Sequence, residues 1–548
     1  MKQKSVFLSL AFLLATCSLV YELAFAKVIS ELTGNAMVWE SVSMASFLLG
    51  IGVQSFFGRR SEYSWARLAR NELLLSALVV IGWYGVHYLQ MNYRAYVFDL
   101  GQMREIWPIP PVYLLGVLSQ PVILLIGWLS GYELSFFLGY RLPSDLRFRE
   151  AKILSAYHFG ALAGTLVVLL SMRQAVAPLP LIAGASVVNA VIAGVLFVTA
   201  GERIRLIHTA VTLLFLGWAA AFQGIFEQVF LQHHYYNQFR WQSDESGLRD
   251  VKFPADPFAF ILNASTWPEV VRFRSPFQVI DFVPDVEDSA DELGEGTPVA
   301  MFINGRFQIS RKSAAEYHEY MTHGALAYAA GPVRRVVILG GGDGALALEL
   351  LKYPDLQVDM IELDPVILHL ARTYEPLTTL NRHALDHPRL RVLQQDALRY
   401  MRTTDAVYDA VFIDLTYPFE FDSAKFYSAE FLHLVRRRLS ADGILVAGIP
   451  MNLVSDSRPE LVDLVIGTMA KAEFTQAMAW NFSSHHFVAA SRGSLLSEPR
   501  ELPALDFQIF SPSRLTQLER RQMSLQEAPE PYFSLQYPNA LMSNDPFF

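Results

Sequence analysis

Two different patterns of apolar and polar positions divide this chain. Over the first 230 or so residues, apolar side chains run almost without interruption in seven segments, near 6–28, 36–57, 71–90, 108–138, 152–171, 178–200 and 207–230. Each reaches or approaches the ~20 residues that carry a helix across ~30 Å of hydrocarbon. Seven in succession predict a bundle of transmembrane helices over 1–230. The first segment does not read as a cleaved leader, because apolar sequence continues through Tyr21, Glu22 and Phe25 without a clear small-residue site and more segments follow.

Beyond residue 230 the pattern changes. Residues 231–265 alternate polar and aromatic groups and read as an interfacial connector. The short runs EVVRFRS, PFQVIDFVP, VAMFING and FQISR, separated by turn formers, predict a small antiparallel sheet over 266–312. AAEYHEYMTHGALAYAA is helical in pattern, and from Val336 to Asp364 an apolar strand, a glycine turn, a helix and a second strand follow in order. LRVLQQDAL, AVYDAVFIDLTYP and GILVAGI supply three more strands. Residues 313–495 are therefore expected to form a doubly wound, Rossmann-like α/β domain of the methyltransferase type, with 496–548 as an extension.

Composition narrows the function classes. The chain has 548 residues, 52% of them hydrophobic, and a formal net charge of −9. No basic tract is long enough for a nucleic-acid surface, so a small molecule is the expected ligand. The single cysteine, Cys17, excludes an intrachain disulfide framework. The adjacent His233 and His234 do not share a helix face and have no carboxylate or thiol at matching spacing, so no metal site is expected.

Loop charge bears on orientation. Arg59, Arg60, Arg67 and Arg70, then Arg141, Arg147, Arg149 and Lys152, then Arg203 and Arg205 flank alternate connections, which the positive-inside rule places in the cytoplasm together with Lys2 and Lys4. Seven crossings would then leave the α/β half outside. Supply of a cytosolic cofactor argues the other way, and the expectation is a multi-pass protein of the cell (inner) membrane with a cytoplasmic catalytic half. The fourth segment, with Pro108, Pro110, Pro111 and Pro121, is the candidate for a broken or re-entrant helix. Glu22 and Glu227 lie near the ends of apolar runs, where a carboxylate either reaches the headgroups or lines a polar pocket or amine path.

The chemistry concentrates at the glycine turn. Gly340, Gly341 and Gly342 let a ligand approach the backbone, and Glu362, at the end of the second strand, can accept ribose hydroxyls. Asp343 follows the glycines directly, where it would repel a pyrophosphate and attract a cation. S-adenosylmethionine and its decarboxylated form both carry a sulfonium at that end. Asp396 and Asp414 end the third and fourth strands, so Glu362, Asp396 and Asp414 converge on one crevice.

The pieces SPFQVI, EYHEYMTH, VVILGGGDGA, VDMIELD, QQDAL, YDAVFIDLTYP, KFYSAEF and DGILVAG occur here in the order of the polyamine aminopropyltransferase (spermidine synthase) family, which residues 265–490 resemble. The membrane region in front is similar to that of the fused, membrane-bound members. The resemblance implies decarboxylated S-adenosylmethionine as co-substrate, an amine acceptor and no metal. It implies cofactor contacts from Gln278, His318, Gly340, Gly341, Gly342, Asp343, Glu362, Asp396 and Ala397. Asp414 would bind and deprotonate the attacking amine and Tyr317 would orient it. The chain departs from the family pattern at Tyr417, where a second acid is usual, at Gly448, where a glutamine is usual, and around Trp480, where an acceptor loop is usual. Tyr417 and Trp480 are therefore expected to line an altered acceptor site. A methyltransferase using intact S-adenosylmethionine and a non-catalytic polyamine or nucleoside sensor or transport module are the alternatives. The expected partners are an amine and the lipid bilayer, with homo-oligomerisation left open.

Overall fold

A computed structural model of the chain describes residues 2–33, 36–57, 63–99, 111–140, 149–246, 268–284, 299–415, 421–449, 460–482, 485–515, 518, 520–525, 532 and 534. The chain divides into two compact units, Met1–Pro276 and Phe277–Asp545.

Among the described residues, the first unit contains seven long helices: α1 Lys2–Thr33, α2 Ala36–Phe57, α3 Trp65–Asp99, α4 Pro111–Gly139, α5 Arg149–Arg173, α6 Pro178–Thr199 and α7 Leu206–Ser246. All seven are long and apolar enough to cross a membrane. Their contacts are made through small residues. A methyl group on Gly50 or Gly127 would strike the backbone of the facing helix in the α2–α4 pair, and one on Gly160 would strike the Phe12 carbonyl in the α1–α5 pair. Close backbone approach of this kind replaces the hydrophobic driving force where helices are surrounded by apolar solvent. Facing outward are Leu48, Phe56, Leu74, Leu166, Leu214 and Trp218, each at least half exposed. A soluble protein rarely leaves so much apolar surface uncovered.

Two expectations change here. The fourth segment is one continuous helix from Pro111 to Gly139 with Pro121 inside it, not a broken or re-entrant one; Pro108 and Pro110 lie outside the described residues. Within α4 the Ser119 hydroxyl and Gln120 amide donate to the Leu115 and Gly116 carbonyls at 2.8 and 2.9 Å, so polar groups remain bonded along the turn that meets the proline. The segment read as a connector begins as helix, since α7 runs through His233 and His234 to Ser246. Strand β1, Val271–Arg274, follows in the same unit. Its Arg274 bonds Glu227 at 3.2 Å and Glu31 at 3.3 Å, so Glu227 is held by a cation at the end of the apolar stretch.

The second unit opens with the antiparallel strands β2 Val279–Pro284, β3 Val299–Ile303 and β4 Arg306–Ile309. Asn304 and Gly305 join β3 to β4 with φ of 51° and 76°, the left-handed pair that a tight hairpin turn needs. Helix α8, Arg311–Tyr328, begins at a reciprocal Ser310–Ser313 cap.

Among the described residues, the main sheet has eight strands in the order β12-β10-β11-β9-β8-β5-β6-β7. β5 Arg335–Gly340, β6 Gln357–Glu362, β7 Leu390–Gln394, β8 Tyr408–Asp414 and β9 Leu439–Ile449 are parallel. The centres of β5, β6 and β8 are buried on both faces, which is why they read as continuous apolar runs. β10 Gln476–Phe482, β11 His485–Ser491 and β12 Arg520–Ser524 extend the sheet antiparallel to their neighbours. The first parallel strand, β5, lies between β6 and β8, so the chain reverses direction across the sheet there and opens a crevice at the carboxyl ends.

Candidate active site

The turn after β5 requires glycine for identifiable reasons. Gly340, Gly341 and Gly344 have φ of 88°, 68° and 86°. Gly340 is paired with Asp414 across the β5–β8 register, and a methyl group on it would collide with the Asp414 carbonyl. The Gly341 amide donates to that same carbonyl at 2.8 Å, so the turn is fastened to the end of β8. A methyl on Gly342 would meet the Glu362 carboxylate at 2.8 Å. Through these contacts the glycine turn, Asp414 and Glu362 are held as one surface.

The crevice is acidic and its carboxyl groups are largely covered. The Asp343 side chain accepts from the Ala345 amide at 2.8 Å, which fixes it at the start of helix α9, Ala345–Leu351. Its carboxyl is held above the usual range, by burial first and then by the Asp414 charge. Glu362 accepts from the Asp364 amide at 2.8 Å, and burial is the main cause that pushes it up to about 7. Asp396 caps helix α10, Ala397–Thr403, by accepting from the Arg399 amide, and it lies 3.9 Å from Lys425. Ala397 is the buried first residue of α10.

His318 supplies the counter-charge. Its Nδ1 bonds the Ala314 carbonyl at 2.9 Å, which turns Nε2 toward the Asp414 carboxylate, 3.6 Å away. Burial alone would lower this histidine, but Asp414 and then Asp343 outweigh it and raise it to about 9. The ion pair is slightly longer than a hydrogen bond, and Asp414 Oδ2 is a buried oxygen with no hydrogen-bond donor. Buried carboxylate oxygens are seldom left so, and a crevice with such an atom suits a ligand that brings a donor or a positive charge.

Tyr317 closes the other side. Its ring stands edge-on to His318 at 4.9 Å and contacts Phe487 and His485, each at 5.4 Å. A side chain on Gly448 would overlap the Tyr317 hydroxyl, so the glycine at that position of β9 is what admits the tyrosine.

The structure therefore brings Tyr317, His318, Asp343, Glu362 and Asp414 together with the three glycines. Gln278 stands half-buried immediately before β2. Tyr417 lies outside the described residues. Trp480 is placed differently from its expected role: its segment is strand β10, the side chain is 2% exposed, and the indole N–H donates to the Tyr320 carbonyl at 3.3 Å. It packs where a Cβ on Gly324 would be, which makes it a support for α8 rather than a wall of the crevice.

Two other residues of the EYHEYMTH run are also structural. Glu319 accepts from the Gln508, Ile509 and Phe510 amides at 2.7, 2.8 and 2.6 Å, tying the carboxyl-terminal extension to α8. His323 is bonded at 2.9 Å to both Tyr353 and Glu349. Among the described residues no group of three or more His, Cys, Asp or Glu could hold a metal ion.

Sequence reading missed two site residues. Asn381, fully buried, donates to the Asp343 and Ala371 carbonyls at 2.7 and 2.8 Å and so holds the glycine turn from behind. His485 opens β11 beside Tyr317, with a buried Nδ1 that has no hydrogen-bond partner. Burial first, then the charge on His318, lowers it to about 4, so it presents a neutral acceptor. An isolated Asn and one of two adjacent histidines carry no spacing signal.

Residues 314–454 match the family described as Spermine/spermidine synthase domain. Polyamine aminopropyltransferase 1 of Streptomyces coelicolor is 30% identical over 449 residues, 79% of this chain and 73% of that protein. The polyamine aminopropyltransferase of Mycobacterium tuberculosis is 27% identical over 86% of this chain and 82% of its own length. Among solved structures, spermidine synthase from Thermotoga maritima is 24% identical with a TM-score of 0.35, covering 41% of this chain and 73% of that one. A spermidine synthase in complex with the transition state analogue AdoDATO is 22% identical with a TM-score of 0.34 over the same shares. With a 30% identical relative aligned over 79% of this chain and 73% of its own length, this chain belongs to the polyamine aminopropyltransferase family.

Proposed function

We propose that the chain is a membrane-anchored enzyme that transfers the aminopropyl group of decarboxylated S-adenosylmethionine to an amine, releasing methylthioadenosine. The observation that carries this reading is the pairing of Asp343 with the orphaned Asp414 oxygen in one buried crevice. Two carboxylates against one histidine leave a site that attracts cations. A co-substrate tail bearing only an ammonium is attracted to Asp343, whereas one that also carries a carboxylate is repelled there.

In the proposed reaction the amine nitrogen, as the neutral base, attacks the methylene next to the sulfonium. The carbon–sulfur bond breaks, its electron pair stays on sulfur, and a neutral thioether leaves. The new secondary ammonium has one proton to lose, and Asp414 is the acceptor within the crevice. Tyr317 orients the nucleophile, Glu362 takes the ribose hydroxyls, Asp396 the adenine amino group, and Gln278 and His318 the tail of the cofactor. Holding both reactants at near-attack distance supplies much of the rate. His485, neutral and facing Tyr317, offers the acceptor amine a hydrogen-bond acceptor without charge.

Product analysis tests the proposal. With decarboxylated S-adenosylmethionine and a panel of amines, methylthioadenosine should form, and binding calorimetry should show preference for this cofactor over the intact one. Asp343→Asn should narrow the preference by about tenfold or more, the value of one charge-assisted contact. Adenosylhomocysteine as the product, or equal affinity of the native protein for both cofactors, would overturn the assignment.

Anchoring is proposed from the seven apolar helices and their outward-facing Leu, Phe and Trp side chains. Cofactor supply puts the catalytic unit in the cytosol, against the loop-charge pattern and the odd number of helices. Reporters that work on one side only, fused after residues 174, 204 and 548, should give a cytosolic signal at 548. An extracytoplasmic signal there would reverse the orientation and require an exported cofactor.

A further inference from the structure

The carboxyl-terminal extension follows one side of helix α8 from its end to its middle. The Leu496 and Arg500 amides donate to the Tyr328 and Ala327 carbonyls, each at 2.9 Å, and Arg500 Nε donates to the Leu326 carbonyl at 2.9 Å. Further on, the Phe507 and Phe510 rings stand 4.7 and 5.1 Å from the ring of His323. The run ends at Glu319, whose carboxylate takes the Gln508, Ile509 and Phe510 amides at 2.7, 2.8 and 2.6 Å. Glu319, His323 and Leu326 lie at i, i+4 and i+7, a single stripe of the helix.

Glu319 is 0% exposed, and a carboxylate is carried so far from water only where donors replace the water. Besides the three amides, Lys352 at the end of α9 brings its ammonium to 3.3 Å. That ammonium is also 2.7 Å from Glu349, which bonds His323 at 2.9 Å. Charge-assisted bonds of this kind are about twice as strong as neutral ones. The stripe is therefore gripped from the extension and from α9 together. By comparison, the Ser310 cap fixes the start of α8, and the Trp480 bond to the Tyr320 carbonyl is uncharged and longer, at 3.3 Å.

What the grip controls follows from its place on the helix. Glu319 adjoins His318, and neighbouring helical residues project about 100° apart, so a hold on Glu319 resists rotation of α8 about its own axis. His318 cannot compensate for such a rotation, because its Nδ1 is bonded at 2.9 Å to the Ala314 carbonyl of the same helix. Its Nε2 moves with the helix, and its 3.6 Å approach to Asp414 is decided by how α8 is rolled. Side-chain tips stand about 5–6 Å from a helix axis, so a roll of about 10° carries Nε2 by about 1 Å. A misplacement of about 1 Å at a reacting site can cost about a hundredfold in rate. We propose that Glu319 and the 508–510 backbone form a clamp that sets the roll of α8 and so places His318 against Asp414. Glu319 touches no reactant and is a positioning residue. The effect on rate rests on the reading of the crevice as the transfer site; the effect on His318 does not.

Two variants of the full-length protein loosen the clamp from opposite sides. Glu319→Gln removes the charge and turns an amide N–H toward the donors of the extension. Ile509→Pro removes one of the three N–H donors and leaves α8 unaltered. Asp506→Asn is the control, since it breaks only the exposed pair with Arg382 beside the clamp. Each is followed by thermal unfolding, cofactor calorimetry, single-turnover rate and NMR titration of His318, assigned with His318→Gln. Burial lowers His318, but Asp414 and then Asp343 outweigh it and hold it at about 9, with neutral His485 also facing it. Both clamp variants should bring this titration to lower pH, because the Asp414 contribution weakens while burial remains. The rate should fall about tenfold to a hundredfold, and cofactor affinity should fall by less, because the glycine turn and Glu362 do not move with α8. Asp506→Asn should leave every reading native. A folded clamp variant in which His318 titrates as in the native chain would overturn the proposal, and so would one that keeps the native rate. If one variant does not fold, the other decides; if neither folds, the contact is a folding requirement and the proposal fails. A native chain that forms no methylthioadenosine, with His318 still shifted in the variants, would sink the transfer reading and leave the clamp standing.

Discussion

Asp414→Asn is expected to lower aminopropyl transfer by about a hundredfold to ten-thousandfold, the range for loss of a positioned proton acceptor, while cofactor binding is retained. The substitution is nearly isosteric and leaves the backbone in place. The Asp414 carbonyl still accepts from the Gly341 amide at 2.8 Å, and β8 remains paired with Gly340, so the glycine turn keeps its shape. What is lost is the charge opposite His318 and the orphaned acceptor oxygen. An asparagine can turn an amide N–H toward the place where the attacking nitrogen must deliver its proton, and a donor there opposes the reaction. Single-turnover rates and cofactor calorimetry, measured on the same variant, separate the two effects. A variant with near-native turnover would remove Asp414 from the chemistry; one that also fails to bind cofactor would make it a positioning residue for the turn.

Gly340→Ala should be the most damaging small substitution in the second unit. The backbone at φ of 88° is strained for any residue with a Cβ, at a cost of about 1–3 kcal/mol. The added methyl is directed at the Asp414 carbonyl, with the Leu415 side chain at 2.8 Å. Leu415 can move aside, but the carbonyl cannot move without shifting the end of β8. Overpacking of this kind costs roughly another 1–3 kcal/mol. Thermal unfolding should fall by several degrees and cofactor affinity should drop together with turnover. Gly52→Ala is the control, because a methyl there meets nothing within 4 Å. Unchanged stability and turnover in Gly340→Ala would mean that the turn is not fastened to β8 as described.

Which parts of this molecule were legible in advance depends on how locally they are encoded. The central parallel strands β5, β6 and β8 could be read because strands buried on both faces must be apolar throughout, and Glu362 and Asp414 could be expected near one another because a doubly wound sheet brings strand ends together. The glycine turn was equally readable, since positive φ at Gly340 and Gly341 excludes most other residues. By contrast, β10 is not among the strands that the pattern predicts, and the expected role of Trp480 comes from matching its segment to the acceptor loop of the family. Its indole instead bonds α8, a contact across 160 residues that local pattern cannot show. In the bundle, Glu22 and Glu227 stood out as charges in apolar runs, yet Glu227 is matched by Arg274 and the closer association is between Glu72 and Glu133.

By itself, then, the sequence determined the seven apolar helices, the succession of parallel strands along the chain and the glycine turn with the acid that follows it, because each follows from hydrophobic period or from backbone sterics within a few residues. Only the tertiary structure decided which polar groups find partners. It gave Arg274 to Glu227 and none to Glu22, turned His318 toward Asp414, left His485 neutral beside Tyr317, and set Glu72 against Glu133. Pairing of this kind depends on the distance between side chains far apart in the chain, and in a low-dielectric interior that distance decides whether a charge is held, shared or left for a ligand.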